Sequence, residues 1–387
     1  MDSELWLLDP QITFLNHGSF GACPRQVLET QHRWQRALER DPVNFFLHRA
    51  EPLMLEVREA LAQVMNCAAA DLALISNATT GVNAVLRSLQ LQPGDHLLGI
   101  SQTYGACRST LDWVAERAGA VVNYAQLPWP VDDPQQVVES ILNTATPQTR
   151  LALVDSITSP TGLVLPIKAI VDGLKAKGIE TLVDGAHALG MVPLDLDDLG
   201  AGYFTSNAHK WLCTPKGSAV LHVRRDLQHQ VKPLNLSHGV GWSGPAYDSP
   251  YRMAFDWTGT DDPTAFLCIP EAIRFLSGLY EGGLEGLMAR NRALALRARE
   301  LLCQTLNVPP PAPDSMIGSL AAVPLPTMDW LPNSPEDVSP LQKRLYDEHL
   351  IQVPIFPYPT ASQPVLRVAV QAYNDFSDFE RLAAQLG

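Results

Sequence analysis

Seven short apolar runs follow one another through the middle of the chain, at 71–77, 96–101, 120–125, 149–155, 179–184, 201–206 and 218–224. Each is rich in Val, Leu, Ile or Tyr and is bounded by Gly, Pro or Asp, the pattern of short strands. Between most of them apolar residues recur at helical spacing, at 79–91, 106–118, 134–144 and 166–177. Strands that are apolar on both faces and alternate with helices predict a mostly parallel sheet covered on both sides. The seven runs occupy about 155 residues, which predicts one large α/β domain.

The flanks have a different texture. Residues 24–66 carry a long helical pattern broken at Asp41-Pro42, and 264–306 are strongly helical. After the proline-rich stretch Pro309-Pro310-Pro311-Ala312-Pro313, strands and one helix (338–350) run to the end. The predicted organisation is an N-terminal arm (1–50) joining a smaller domain, a large domain (51–262) and a small α+β C-terminal domain (263–387). No internal repeat is present. Gly282-Gly283-Leu284-Glu285-Gly286 reads as a loop between helices, and without a strand ahead of it a dinucleotide fingerprint is unsupported. Gly241-Trp242-Ser243-Gly244 lacks the last glycine of a nucleophile elbow.

Composition narrows the function classes. With 46% apolar and 18% charged residues, the chain can fill a sizeable core, so global disorder is excluded. Its 28 Lys and Arg against 41 Asp and Glu leave a net charge of −13, which argues against a nucleic-acid surface. The six cysteines show no CxxC pairing, so neither a disulfide scaffold nor zinc-ribbon spacing is present. Scattered thiols suit a reducing cytoplasm. The start, Met1 to Pro10, has neither a basic n-region nor a long apolar h-region, and a cytoplasmic protein with no membrane partner is expected.

The strongest local signal is Val183-Asp184-Gly185-Ala186-His187 at a strand end, with Asn207-Ala208-His209-Lys210 placing a lysine 26 positions after the aspartate. Ligands of open α/β sheets bind outside the carboxyl ends of strands. A carboxylate and a lysine there make either a structural ion pair or a cofactor site. In the second case the lysine forms a Schiff base with pyridoxal phosphate, and the carboxylate keeps the pyridine nitrogen protonated, so that the ring withdraws electrons from the α-carbon. An anion site is also on offer. Ser76-Asn77-Ala78-Thr79-Thr80-Gly81 links a strand to a helix with apolar Val82, Val85, Leu86 and Leu89, and a helix N-terminus suits a phosphate. Asn77 or Thr79 could equally be a simple cap. His187, His209 and Asp184 have the residue types of a metal site, but Lys210 beside His209 would repel a cation, so no metal is expected.

Taken in order, NATTGVN, TYGA, SPTG, VDGAHALG, NAHKW, WTGT and LRVAVQAYN resemble the class V aminotransferase family of fold type I pyridoxal-phosphate enzymes. The opening Phe14-Leu15-Asn16-His17-Gly18-Ser19-Phe20-Gly21, with Asp41-Pro42-Val43 further on, is most similar to its isopenicillin N epimerase-like branch. The resemblance spans about residues 12 to 380. It implies an α/β fold with a mostly parallel seven-stranded large domain, a smaller α+β domain, and pyridoxal 5'-phosphate as cofactor. It also implies roles. Lys210 is the Schiff-base lysine and moves protons at the α-carbon. Asp184 partners the pyridine nitrogen, and His187 faces the phenolic oxygen. Ala78 and Thr79 bind phosphate, with Asn207 and His209 closing it from the other side. Tyr104 stacks on the ring, with a tyrosine buried for packing alone as the alternative. Ser159 matches a polar position that cysteine desulfurases fill with Asn. Thr260 reaches the phosphate from the neighbouring subunit, which implies a homodimer with shared active sites. Arg367 clamps the substrate carboxylate, for which a planar guanidinium is suited. Asn16 and His17 are expected on the substrate side.

One absence bears on the reaction. Cysteine desulfurases use a loop cysteine, and none lies between Leu350 and Arg367, which disfavours that chemistry. Epimerisation needs Lys210 on one face of the α-carbon and a second group, Tyr104, His17 or water, on the other. A C–S lyase (β-elimination) needs no protein thiol, and an aminotransferase needs only Lys210 as the proton shuttle. The expectation is an enzyme acting on an amino acid through its imine with the cofactor. Epimerase ranks first, lyase and aminotransferase follow, and retention of the whole residue set argues against a non-enzymatic protein.

Overall fold

A computed structural model of the protein describes residues 3–241, 249–327, 330 and 337–387. Trp242, Ser243 and Gly244 of the glycine-bounded stretch noted above lie outside the described residues.

All seven apolar runs are strands of one sheet: β2 (Leu72–Ile75), β3 (His96–Ile100), β4 (Val121–Ala125), β5 (Thr149–Asp155), β6 (Glu180–Asp184), β7 (Tyr203–Asn207) and β8 (Ala219–Val223). Their spatial order is β2-β8-β7-β6-β5-β3-β4, parallel throughout except that β8 runs antiparallel to both neighbours. Helices cover both faces, which is why the strands carry no polar alternation. Val82, Val85 and Leu86 of the helix Ala78–Ser88 and Cys107 and Leu111 of Gly105–Ala118 bury one face, packing over Leu97, Leu151 and Leu182. Val137, Ile141, Ile170 and Leu174 of Pro134–Thr144 and Ile167–Ala176 bury the other.

The flanks fold around this core. The helical pattern of 24–66 splits into Arg25–Arg40 and Ala50–Met65, with the break at Asp41, whose side chain accepts from the Asn44 amide. The N-terminal β1 (Thr13–Phe14) pairs in parallel with β10 (Ile351–Gln352). A second small sheet has the order β11-β12-β9, from Ile355–Thr360, Gln363–Ala369 and Leu320–Pro324. The long helix Gly283–Leu306 packs on it through Leu294, Ala298 and Leu302. The expected loop at Gly282–Gly286 is corrected here: Gly283 to Gly286 form the first turn of that helix, because its buried face, from Leu287 and Met288 onward, begins immediately after them. No helix among the described residues is long and apolar enough to cross a membrane.

Two close approaches set the site. A Cβ on Gly81 would lie 2.4 Å from Thr205 Oγ1, so glycine lets the helix Ala78–Ser88 sit directly on β7. Gly21, at φ +67°, lets the N-terminal arm turn against the backbone of His209 and Lys210, where a Cβ would meet the His209 carbonyl at 2.5 Å.

Candidate active site

The carboxyl ends of five parallel strands converge on one cavity of about 180 Å³. β2 leads to Asn77, Ala78 and Thr79, and β3 to Tyr104. β5 ends at Asp155, β6 at Asp184, and β7 at Asn207, followed by His209 and Lys210. This is where an open α/β sheet leaves a crevice. The cavity brings together nine residues singled out from the sequence: Ala78, Thr79, Tyr104, Ser159, Asp184, His187, Asn207, His209 and Lys210.

Lys210 and Asp184 face this cavity without forming an ion pair; none within 4 Å joins them among the described contacts. Lys210 Nζ lies 3.3 Å from His187 Nε2 instead. Burial is the main influence on the amine and lowers it to about 8, partly opposed by the Asp184 charge. A lysine in that range is partly neutral near physiological pH and therefore nucleophilic. Asp184 is held by the Ala186 amide at 3.0 Å and the Cys107 thiol at 3.3 Å. Burial raises it above the ordinary carboxylate range. The Trp211 indole donates to His187 Nδ1 at 3.2 Å, so the ring proton sits on Nε2 and points toward Lys210. Burial, then Lys210, holds this imidazole neutral.

The helix start is partly occupied by the protein itself. The Ala78 amide donates to Asn207 Oδ1 at 2.9 Å and the Thr80 amide to Asn77 Oδ1 at 2.9 Å. Of the two residues expected at this helix start, Ala78 has its amide engaged by Asn207, and no hydrogen bond of the Thr79 amide is found among the described residues. His209 Nδ1 is 2.8 Å from the Ser218 carbonyl. It meets an anion only through Nε2, as an imidazolium, and burial lowers it to about 4 in the absence of one. Tyr104 is 46% exposed on the cavity wall, which removes the packing explanation for it.

Arg367, on β12, is fully buried and has no carboxylate within ion-pair distance among the described residues. Its Nη1 donates to the Ser159 carbonyl and its Nη2 to Ser19 Oγ at 3.4 Å. Nε has no partner, and the guanidinium carbon lies 4.7 Å over the Phe356 ring. Burial lowers it to about 9. The contrast with Arg58 is informative: that guanidinium is equally buried but is paired with Asp256. An unpaired buried cation is costly, and a carboxylate ligand would relieve the cost.

His17 corrects an expectation. Its ring is wholly buried, with Nε2 2.9 Å from the Lys210 carbonyl and Nδ1 2.8 Å from the Tyr373 hydroxyl. Burial lowers it to about 3, so it is neutral, and it braces the lysine backbone rather than facing a substrate. Asn16 accepts from Ser19 Oγ at 2.6 Å and lies behind the cavity lining, to which Ser19 and Phe20 contribute instead. Thr260 is exposed and apart from the cavity; its neighbours Thr258, Gly259 and Asp261 line a separate one that also touches Ser76 and Thr80. Sequence reasoning missed Asp155, Cys107 and Trp211. Only Asp155 left a trace, since β5 and β6 both end in Val-Asp.

These residues fit pyridoxal phosphate: an amine, a buried carboxylate, a neutral imidazole donor and an open helix start surround one cavity, with an unpaired guanidinium beside it. A profile of the Aminotransferase class-V family matches residues 23–330. A protein named isopenicillin N epimerase from Amycolatopsis lactamdurans is 34% identical over 392 residues, covering 98% of this chain and 95% of that one. One named putative L-cysteine desulfhydrase 1, from Oryza sativa subsp. japonica, is 31% identical over 400 residues, covering 95% and 81%. Among solved structures, a C-DES mutant with glycine covalently linked to its PLP cofactor superposes with a TM-score of 0.80 at 21% identity, covering 100% of this chain and 99% of that one. The cysteine desulfurase CsdA of Escherichia coli gives 0.78 at 20%, covering 98% and 95%.

Proposed function

The chain belongs to the class-V aminotransferase family and is a pyridoxal-phosphate enzyme of fold type I, and on that footing we propose that it acts at the α-carbon of an amino acid as an epimerase. The carrying observation is Arg367, a buried guanidinium without a counter-ion beside the Lys210 cavity. It binds the α-carboxylate in this reading and so presents the α-hydrogen to Lys210.

When bound, the cofactor supplies an electron-withdrawing ring that weakens the bond to the α-hydrogen. The chain's own residues do the rest. Lys210 holds the cofactor and takes the α-proton. Asp184 faces the ring nitrogen. His187 Nε2 donates to the phenolic oxygen, its direction fixed by Trp211. Thr79, Asn207 and His209 bind the phosphate. Tyr104, whose hydroxyl is shifted upward from its ordinary value chiefly by partial burial, returns a proton to the opposite face of the α-carbon.

A second reading, β-elimination as a C–S lyase, is supported by the 31% identity to the relative named putative L-cysteine desulfhydrase 1. It requires only Lys210, as does transamination. Persulfide-forming desulfuration is set aside, because the β11–β12 segment before Arg367 carries no cysteine. Incubating the holoenzyme with L-amino acids in D2O separates these outcomes. The expected result is α-deuterated product of inverted configuration. Release of pyruvate or of an oxo-acid, with configuration retained in recovered substrate, counts against epimerisation.

Thr260 is assigned to the phosphate of a partner subunit in a homodimer. Sedimentation of the holoenzyme is expected to give a dimer, and a monomer that retains cofactor on dilution would contradict that assignment.

A further inference from the structure

Asp155 is an acidic residue of the cavity lining with no part in the chemistry assigned to Lys210 and Asp184. It ends β5, and its Cα is paired in register with that of Asp184 at the end of β6. Neighbouring parallel strands in register put both side chains on the same face, one strand spacing apart. Asp155 is 3% exposed, lines the cavity, and accepts the Tyr104 amide through Oδ1 at 3.3 Å. Its Oδ2 is buried with no hydrogen-bond partner. A buried carboxylate oxygen left open is costly unless something cationic or protic meets it.

The surroundings narrow what that is. Asp184 and the Cys107 thiol are its acidic neighbours, and Tyr104 approaches through its amide. Lys210, His187 and Arg367 lie across the site, with His187 neutral. Burial and then the charge of Asp184 push Asp155 well above the usual carboxylate range, partly opposed by the Tyr104 amide and by Lys210. A positive ring nitrogen placed against Asp184 reverses that balance, since two carboxylates then share one more cation.

We propose that Asp155 is a positioning residue of this site, whose carboxylate beside Asp184 supplies a second negative charge that keeps the cofactor's ring nitrogen cationic. The inference rests on the cofactor assignment of Lys210 and Asp184. Through that charge Asp155 raises the proton affinity of the whole bound chromophore.

The test is the visible absorbance of the reconstituted holoenzyme titrated with pH, for the wild type, Asp155→Asn and Asp155→Glu. Asp155→Asn is expected to retain bound cofactor, with the spectral midpoint lowered by about one pH unit, the scale of one nearby charge. Asp155→Glu, which keeps the charge, is expected to return the midpoint toward the wild-type value. A midpoint in Asp155→Asn equal to the wild type's overturns the proposal. If Asp155→Asn does not fold, Asp155→Ser makes the same comparison. A wild type that gains no colour at any pH instead refutes the cofactor assignment itself, so the two failures are distinct.

Discussion

Lys210→Ala is expected to give a folded protein that stays colourless with added pyridoxal phosphate and shows no measurable turnover. The side chain sits in the first turn after β7, partly buried, and its amine has been moved toward neutrality chiefly by burial. Truncation deletes a desolvated amine rather than a packing element, so thermal stability is expected to change little or to rise. Activity is expected to fall by at least about 10⁴-fold, the upper range for losing a positioned acid–base group, because the covalent attachment is lost as well. Lys216 is the comparison. It is exposed, its Nζ is bound 2.6 Å from the Gly21 carbonyl, and it lies outside the cavity lining. Lys216→Ala is expected to keep colour and turnover; the reverse pattern would move the covalent site to the wrong lysine.

The second large effect is expected at Arg367. Replacement by methionine, which fills similar space without charge, is expected to raise KM for the amino acid and lower kcat/KM by roughly 10²- to 10³-fold. That corresponds to about 3–4 kcal/mol, in the range measured when one partner of a buried charge pair is removed. Cofactor retention and its absorbance are expected to remain. The substitution also removes an unpaired buried cation, so the free enzyme is expected to be at least as thermostable as the wild type. The sign follows from the lowered guanidinium: at neutral pH the folded state carries the full cost of a charge that the unfolded state keeps in water. Parallel titrations of amino acid and cofactor decide the matter, and equal weakening of both would deny Arg367 its carboxylate role.

Much of this arrangement was legible in the chain because its cause is local. The seven strands announce themselves as apolar runs, since strands buried on both faces need nothing else. Asp184 and Lys210 are legible because strand ends in a parallel sheet meet ligands. What escaped the sequence depends on register and on long-range packing. Asp155 closes a strand in the same way as many surface aspartates do, and only its pairing with Asp184 reveals it as a cavity group. His17 has the residue type of a catalytic base, yet Tyr373 and the Lys210 carbonyl, both distant in sequence, enclose it. That the Ala78 amide is taken by Asn207, more than a hundred residues away, was equally invisible. Thr260 was singled out through the WTGT motif, but in the single subunit it is exposed and stands apart from the cavity.

The claim on which the rest depends is that Lys210 carries the cofactor, and chemical trapping tests it most directly. Reduction of the coloured holoenzyme with borohydride, digestion and peptide mass mapping are expected to place one pyridoxyl group on the peptide containing Lys210. Labelling of Lys216 or any other lysine, or no label on a protein saturated with pyridoxal phosphate, would contradict the account.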